Sequence, residues 1–155
     1  MDVHTEYKNN YIESCYKVLN QIGATCVGGA WVAGVDTYFK KSLAAALQNS
    51  IVTSGGLSRN SDYEGKADTV YLGCCSREAL DRNGLFNEEL IRNQDDELCL
   101  RIIANGGTVW QSKKTRSCYY PRKNIVTLFS QYFQYGFWKV RVFGSSSFPV
   151  ESRGA

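Results

Sequence analysis

The sequence lacks any run near the roughly 18 apolar residues that a bilayer-spanning helix needs, and no signal-peptide pattern opens it. Both absences predict a soluble or peripheral protein. It also lacks CxxC spacing. Its six cysteines (Cys15, Cys26, Cys74, Cys75, Cys99, Cys118) are scattered, several within apolar periodic segments, and read as small buried hydrophobes in a reducing compartment. Only the vicinal pair Cys74-Cys75 invites a different reading. Clustered charge is missing as well: a net charge of +3 with dispersed basic residues and no recognised motif argues against nucleic acid as partner. No internal repeat is visible, and 155 residues suffice for one domain with a real core.

What is present alternates between helical and extended patterns. Ile12, Cys15, Val18, Leu19 and Ile22 recur at helical spacing from Tyr11 to about Gln21, and Gly23 offers a stop. Ala24 to Val32 reads as one strand interrupted by Gly28 and Gly29, where glycine signals close approach of backbone or ligand. Asp36 or Thr37 can cap a helix from Tyr38 to Asn49. Ser50 to Gly65, rich in Ser, Gly and Asn and containing Arg59, reads as a long loop, either substrate-binding or disordered. Asp68 to Cys75 follows as a buried strand and Arg77 to Asn83 as a helix stopped by Gly84, with Leu85 and Phe86 plugging the turn into the core.

Arg92-Asn93-Gln94-Asp95-Asp96-Glu97-Leu98 then sets three acids in the opening turn of an amphipathic helix that buries Leu98, Ile102 and Ile103 and stops at Asn105-Gly106-Gly107. The helix dipole favours acids there, which explains them as capping. A carboxylate held at a helix mouth can equally face a cleft and act as a general base. Strands are expected at Thr108 to Gln111 and Arg116 to Tyr120. A helix from Asn124 to about Phe143, broken at Gly136, carries an aromatic stripe. Packing is the ordinary use of such a stripe; sugar stacking or a membrane-facing surface is the alternative, because Lys139 and Arg141 interleave with it. Near the start, Asp2 and His4 fall on one side of an extended segment, where they could hold a divalent cation or simply form a solvated terminus.

Layered alternation of this kind indicates an α/β domain. In order along the chain, Asp2-Val3-His4, Val27-Gly28-Gly29, Asp68-Thr69-Val70-Tyr71-Leu72-Gly73, the acidic helix through Arg101, Gly106-Gly107, Tyr120-Pro121-Arg122 and Gln131 to Lys139 together resemble the catalytic domain of glycosyltransferase family 2, of the bacterial exopolysaccharide, succinoglycan type. The resemblance implies a partial GT-A fold, a Rossmann-like α/β/α domain in three layers lacking its first strands. Residues 1–143 would form the carboxyl-terminal half of the catalytic domain and 144–155 a linker or tail.

It further implies an inverting transfer of sugar from a nucleotide-sugar, expected to be UDP-linked, to a saccharide or lipid-linked acceptor. Asp95 would be the base, with Asp96 as fallback and Glu97 facing solvent or a neighbouring cation. Asp2 and His4 would ligate Mn²⁺ or Mg²⁺, and Arg59, Asp68, Gly73, Arg101, Gln131 and Trp138 would bind substrate. A cytoplasmic location, at the cytoplasmic membrane face through peripheral contact, is expected, and a homo-oligomer is compatible with it. Two departures stand out: Gln94 replaces a common Glu beside the base, and Gln131 to Trp138 lacks the Arg before Trp of processive members, which favours single-sugar addition. The competing expectation is a non-catalytic sugar- or partner-binding module derived from a truncated transferase.

Overall fold

A computed structural model describes residues 5–34, 42, 60–120 and 125–145. In chain order these form β1 (Thr5–Tyr7), α1 (Tyr11–Ile22), β2 (Cys26–Gly29), β3 (Trp31–Ala33), β4 (Gly65–Lys66), β5 (Tyr71–Cys75), α2 (Arg77–Asn83), α3 (Gln94–Ala104), β6 (Val109–Gln111), β7 (Ser117–Tyr119) and α4 (Ile125–Ser145). The larger sheet runs β4-β6-β2-β5 and is mixed: β2 pairs parallel with β6 and antiparallel with β5. A second sheet runs β1-β7-β3. The architecture is α/β, compatible with a partial GT-A-like domain.

All four residues of β2 are buried, and its alternation divides the core into two. On one face Val27 packs with Val18 and Ala24, against Leu19 and Trp110. On the other, Cys26 joins Val70, Leu98, Cys99, Ile102 and Val109. The sheet therefore lies between α1 and α3. Burial at these positions contributes roughly 25 cal/mol per Å² of apolar surface, the main favourable contribution to folding.

Local signals set the ends of the helices. Gly23 (φ 69°) closes α1 in the left-handed region, its N–H bonding the carbonyl of Leu19. Ser76 caps α2 by accepting the Ala79 N–H at 3.1 Å.

Five expectations need correction. The single strand from Ala24 to Val32 is two, β2 and β3, in different sheets. Glycine is required at this passage: a Cβ on Gly29 would run into the Thr115 carbonyl, and one on Gly28 would sit 2.7 Å from the Tyr71 carbonyl oxygen. The buried strand from Asp68 is the shorter, half-buried edge strand β5, in which Leu72 takes φ 54° beside a register shift against β2. Leu85 and Phe86 are exposed, because the turn they occupy is held through its carbonyls rather than its side chains. Ile103 is also exposed, since α3 buries Leu98, Cys99 and Ile102. Finally, α4 runs through Gly136 without a break, and includes Gly144 and Ser145 from the expected tail.

The loop expected from Ser50 to Gly65 is in part strand, at Gly65. Its remainder up to Arg59, and the helix expected from Tyr38 to Asn49 apart from Ser42, lie outside the described residues.

Gly29→Ala tests the crossing of β2 and the 115 loop. The clash is with backbone, which cannot swing aside, so we expect a loss of about 3 kcal/mol or more in urea unfolding, against less than about 1 kcal/mol for Gly136→Ala, whose Cβ meets nothing.

Candidate active site

α3 begins where Asn93, in the left-handed conformation (φ 61°), turns the chain into the helix. Asparagine tolerates this region better than most residues. Gln94, the uncharged neighbour, folds back to donate to the Leu90 carbonyl at 2.5 Å and so closes the preceding loop. Asp95, Asp96 and Glu97 follow in the first turn, and the helical rotation sends them to three different environments.

Asp95 is exposed on the solvent side of the mouth yet crowded by protein on the others. Desolvation, with the charge of Asp96 added, pushes its carboxyl above the ordinary carboxylate range; N–H groups of the first turn and Lys139 only partly oppose this. Asp96 is tied on both sides: Oδ1 accepts from Thr69 Oγ1 at 2.7 Å, and Oδ2 stands 4.0 Å from Lys139 Nζ. Glu97 turns inward, buried, and makes a two-pronged ion pair with Arg101 at 2.7 and 3.0 Å. Of its two expected surroundings, solvent or a neighbouring cation, it has the second.

Arg101 is committed to structure. Beyond Glu97 its guanidinium donates to the carbonyls of Asn83 and Leu85, pinning the turn after α2, and a Cβ on Gly84 would meet Nη1 at 2.7 Å. It lies two turns along α3 from the mouth. Gly73 likewise has a packing reason for its identity: a Cβ there would come within 2.8 Å of Cys26 Sγ.

The other wall of the mouth is α4. Gln134 Oε1 accepts from Arg92 Nε at 2.6 Å, Asn93 Nδ2 reaches the Tyr135 carbonyl at 3.4 Å, and the Arg92 guanidinium lies over the Tyr135 ring. Gln131, buried, donates to the hydroxyls of Tyr119 and Tyr135. Trp138 is half-buried, with Arg141 over its ring. The structure thus brings Asp95, Asp96, Gln131 and Trp138 to α3 and the helix beside it, while Asp68 is exposed next to Thr69. Asp2, His4 and Arg59 lie outside the described residues.

Thr69 and Lys139, which hold Asp96, and Arg92 and Asn93, which dock α4, were not anticipated as site residues. Lys139 directly follows Trp138 in sequence, but nothing in the sequence aims it at Asp96.

All six cysteines are free thiols. Cys74 and Cys75 lie on opposite faces of β5: Cys74 meets Cys15 of α1, whose hydrogen bond brings its thiol down to about 7, while Cys75 opposes Cys26 across the strands. Neighbours that face apart do not pair. Among the described residues no group of three or more His, Cys, Asp or Glu could hold a metal, and Lys139 supplies the cationic neighbour of Asp96.

With this geometry in hand, comparison with known proteins gives one informative match. The chain is 33% identical over 137 residues to the succinoglycan biosynthesis protein ExoA of Rhizobium meliloti (strain 1021). The relative serves polysaccharide biosynthesis. The alignment takes in 88% of this chain and 41% of that protein, so the chain spans about two-fifths of its relative's length. No family model matches the chain. The similarity is to a protein of succinoglycan biosynthesis, over nearly the whole of this chain.

Arg101→Met should cost about 2–4 kcal/mol in urea unfolding, because Glu97 is left buried without its cation. Adding Glu97→Gln should recover part of that loss, giving a coupling energy of about 1 kcal/mol or more.

Proposed function

We propose that this chain carries the catalytic acids of an inverting glycosyltransferase of family 2 that acts in polysaccharide biosynthesis. One observation carries the reading: two adjacent carboxylates at one helix mouth are held in unlike states. Asp96 is fixed by Thr69 and Lys139, while Asp95 is left facing out with its proton affinity raised. A carboxyl whose proton affinity its surroundings raise, at the mouth of a helix, is suited to work as a general base. The similarity to a succinoglycan biosynthesis protein supports the same reading.

In the proposed reaction Asp95 takes the proton from an acceptor hydroxyl as that oxygen attacks the anomeric carbon of a UDP-linked sugar, inverting it; the nucleoside diphosphate leaves. A raised carboxyl is a stronger base than an ordinary one. Asp96, anchored to the 69 loop and α4, holds the first turn of α3 in register. Gln131 and Trp138 stand on the helix that walls the mouth and are assigned to the acceptor, a saccharide or lipid-linked sugar. Asp68, beside Thr69, is assigned to the donor, with Arg59 and Gly73. A divalent cation, Mn²⁺ or Mg²⁺, would neutralise the diphosphate. Asp2 and His4 are the residues proposed for it, a carboxylate and imidazole pair suited to either ion.

The decisive experiment measures sugar transfer from UDP-sugars by a longer protein that contains this chain. Asp95→Asn should reduce turnover by about 10²–10⁴-fold with the fold retained; unchanged turnover would sink the assignment. The base works only when ionised, so its raised proton affinity makes the rate fall, as pH is lowered, at a higher pH than an ordinary carboxylate would set. The linked stability has the opposite sign. Protonated Asp95 favours the folded state below the ordinary carboxylate range, and that contribution is lost as pH rises through the raised value. Asp95→Asn should therefore stabilise the protein near neutrality, and the gain should vanish in acid.

A further inference from the structure

The vicinal cysteines take no part in the proposed reaction, and the two faces of β5 give them different surroundings. Cys75 packs against the apolar cluster on one face of β2, where Cys26 and Cys99 are 2% and 3% exposed. Cys74 stands opposite Val27, on the other face. Val27 packs against Val18 of α1, and Cys15 lies one helical turn before Val18, fully buried. Cys74 itself is only half-buried.

A second contact fastens α1 over β5. The Tyr11 hydroxyl donates to the Leu72 carbonyl at 3.0 Å. From Tyr11 to Cys15 the helix advances about 6 Å, and from Leu72 to Cys74 the strand advances about 6.6 Å. Helix and strand therefore stay in step, and the Cys15 thiol meets the Cys74 sulfur in a hydrogen bond. That bond brings the Cys74 thiol down to about 7, so that a good part of it is thiolate near neutrality, while Cys15 is pushed up by the same pairing and by burial. One sulfur is open to an oxidant and the other is sealed behind it.

We propose that Cys74 and Cys15 are a peroxide-reactive thiol pair, in which Cys74 is the attacking sulfur and Cys15 the resolving one. The Cys74 thiolate attacks one oxygen of a hydroperoxide and breaks its O–O bond. Cys74 becomes a sulfenic acid, and the other oxygen leaves as an alcohol, or as water from hydrogen peroxide. The Cys15 sulfur then attacks the Cys74 sulfur; its proton goes to the departing hydroxyl, and water leaves. Two thiols are oxidised to one disulfide, and the peroxide takes both electrons. The bridge ties α1 to the edge strand β5, and a dithiol reductant restores the two thiols. Cys75 stands aside, since its neighbours lie on the far face of the sheet. The pair works independently of sugar transfer.

The test treats the reduced chain with hydrogen peroxide and maps the bridges by mass spectrometry of its peptides. We expect one bridge, Cys15 to Cys74, which dithiothreitol reverses. In urea the same treatment should give mixed pairings, because the fold is what selects the pair. Cys74→Ser should remove the bridge, and Cys75→Ser should leave it as in the unaltered chain, with circular dichroism showing the fold intact. Cys15→Ser keeps a hydroxyl beside Cys74 but no second sulfur. Cys74 should then stop at the sulfenic acid, which dimedone captures at least about tenfold more than in the unaltered chain. Absence of the Cys15 to Cys74 bridge from the folded, peroxide-treated chain overturns the proposal. So does a dominant bridge between Cys26 and Cys75, and so does a folded Cys15→Ser chain in which dimedone captures nothing at Cys74.

Discussion

The structure depends on a four-residue strand that has no free side. β2 pairs with β5 and β6 along its edges and carries a separate apolar cluster on each face. Its two glycines exist because neighbouring backbone approaches too closely for any side chain. From its end the chain passes at once into β3 and a second sheet, so one short segment fixes the relation of two sheets and two helices. Strands buried on both faces tolerate little change, because each residue meets packed neighbours that cannot relax independently.

The consequence reaches the acids through α3. Leu98, Cys99 and Ile102 anchor that helix in the cluster beneath β2, which sets its rotation. Rotation then decides what each acid meets: Glu97 is turned into the protein and needs Arg101, Asp96 is turned toward Thr69 and Lys139, and Asp95 is turned out. Three consecutive carboxylates on a helix would otherwise repel one another in similar surroundings. Here one is paired with a bidentate cation and one is held by a hydroxyl with a lysine nearby, while the surroundings of the third raise its proton affinity.

Much of this was legible in the sequence, for reasons that differ by residue. Helical spacing and the stops at Gly23 and Gly84 marked α1 and α2, since caps and periodicity are local properties. The close approach at Gly28 and Gly29 was legible for the same reason, because only glycine relieves it. What could not be read was set by distant partners. The sheet change between β2 and β3 depends on Thr115 and Ser117, more than 80 residues further along the chain. Leu85 and Phe86 look like core residues, but the turn's carbonyls found Arg101 instead. The contacts of Arg101 with Glu97, Asn83 and Leu85 were not legible, because a motif records that a residue matters and is silent on what it touches. The acidic run at the start of α3 was legible as local sequence; the separation of Asp95 from Asp96 required Thr69 and Lys139, which lie in other segments.

The aromatic helix carries that argument furthest. From sequence, a stripe of Phe and Val at helical spacing reads as a core face, because apolar side chains ordinarily gain by leaving water. The structure divides it: Gln131, Gln134 and Lys139 make contacts inward together with the buried Val142, while the phenylalanines stay outside. Polar side chains hold a helix against a body more weakly than buried apolar ones do, but they specify position through directional hydrogen bonds. Gln134 on Arg92 and Lys139 beside Asp96 therefore serve to place α4 relative to the mouth of α3. Those directional contacts, with Val142 buried beside them, set where the helix stands against the acids of α3.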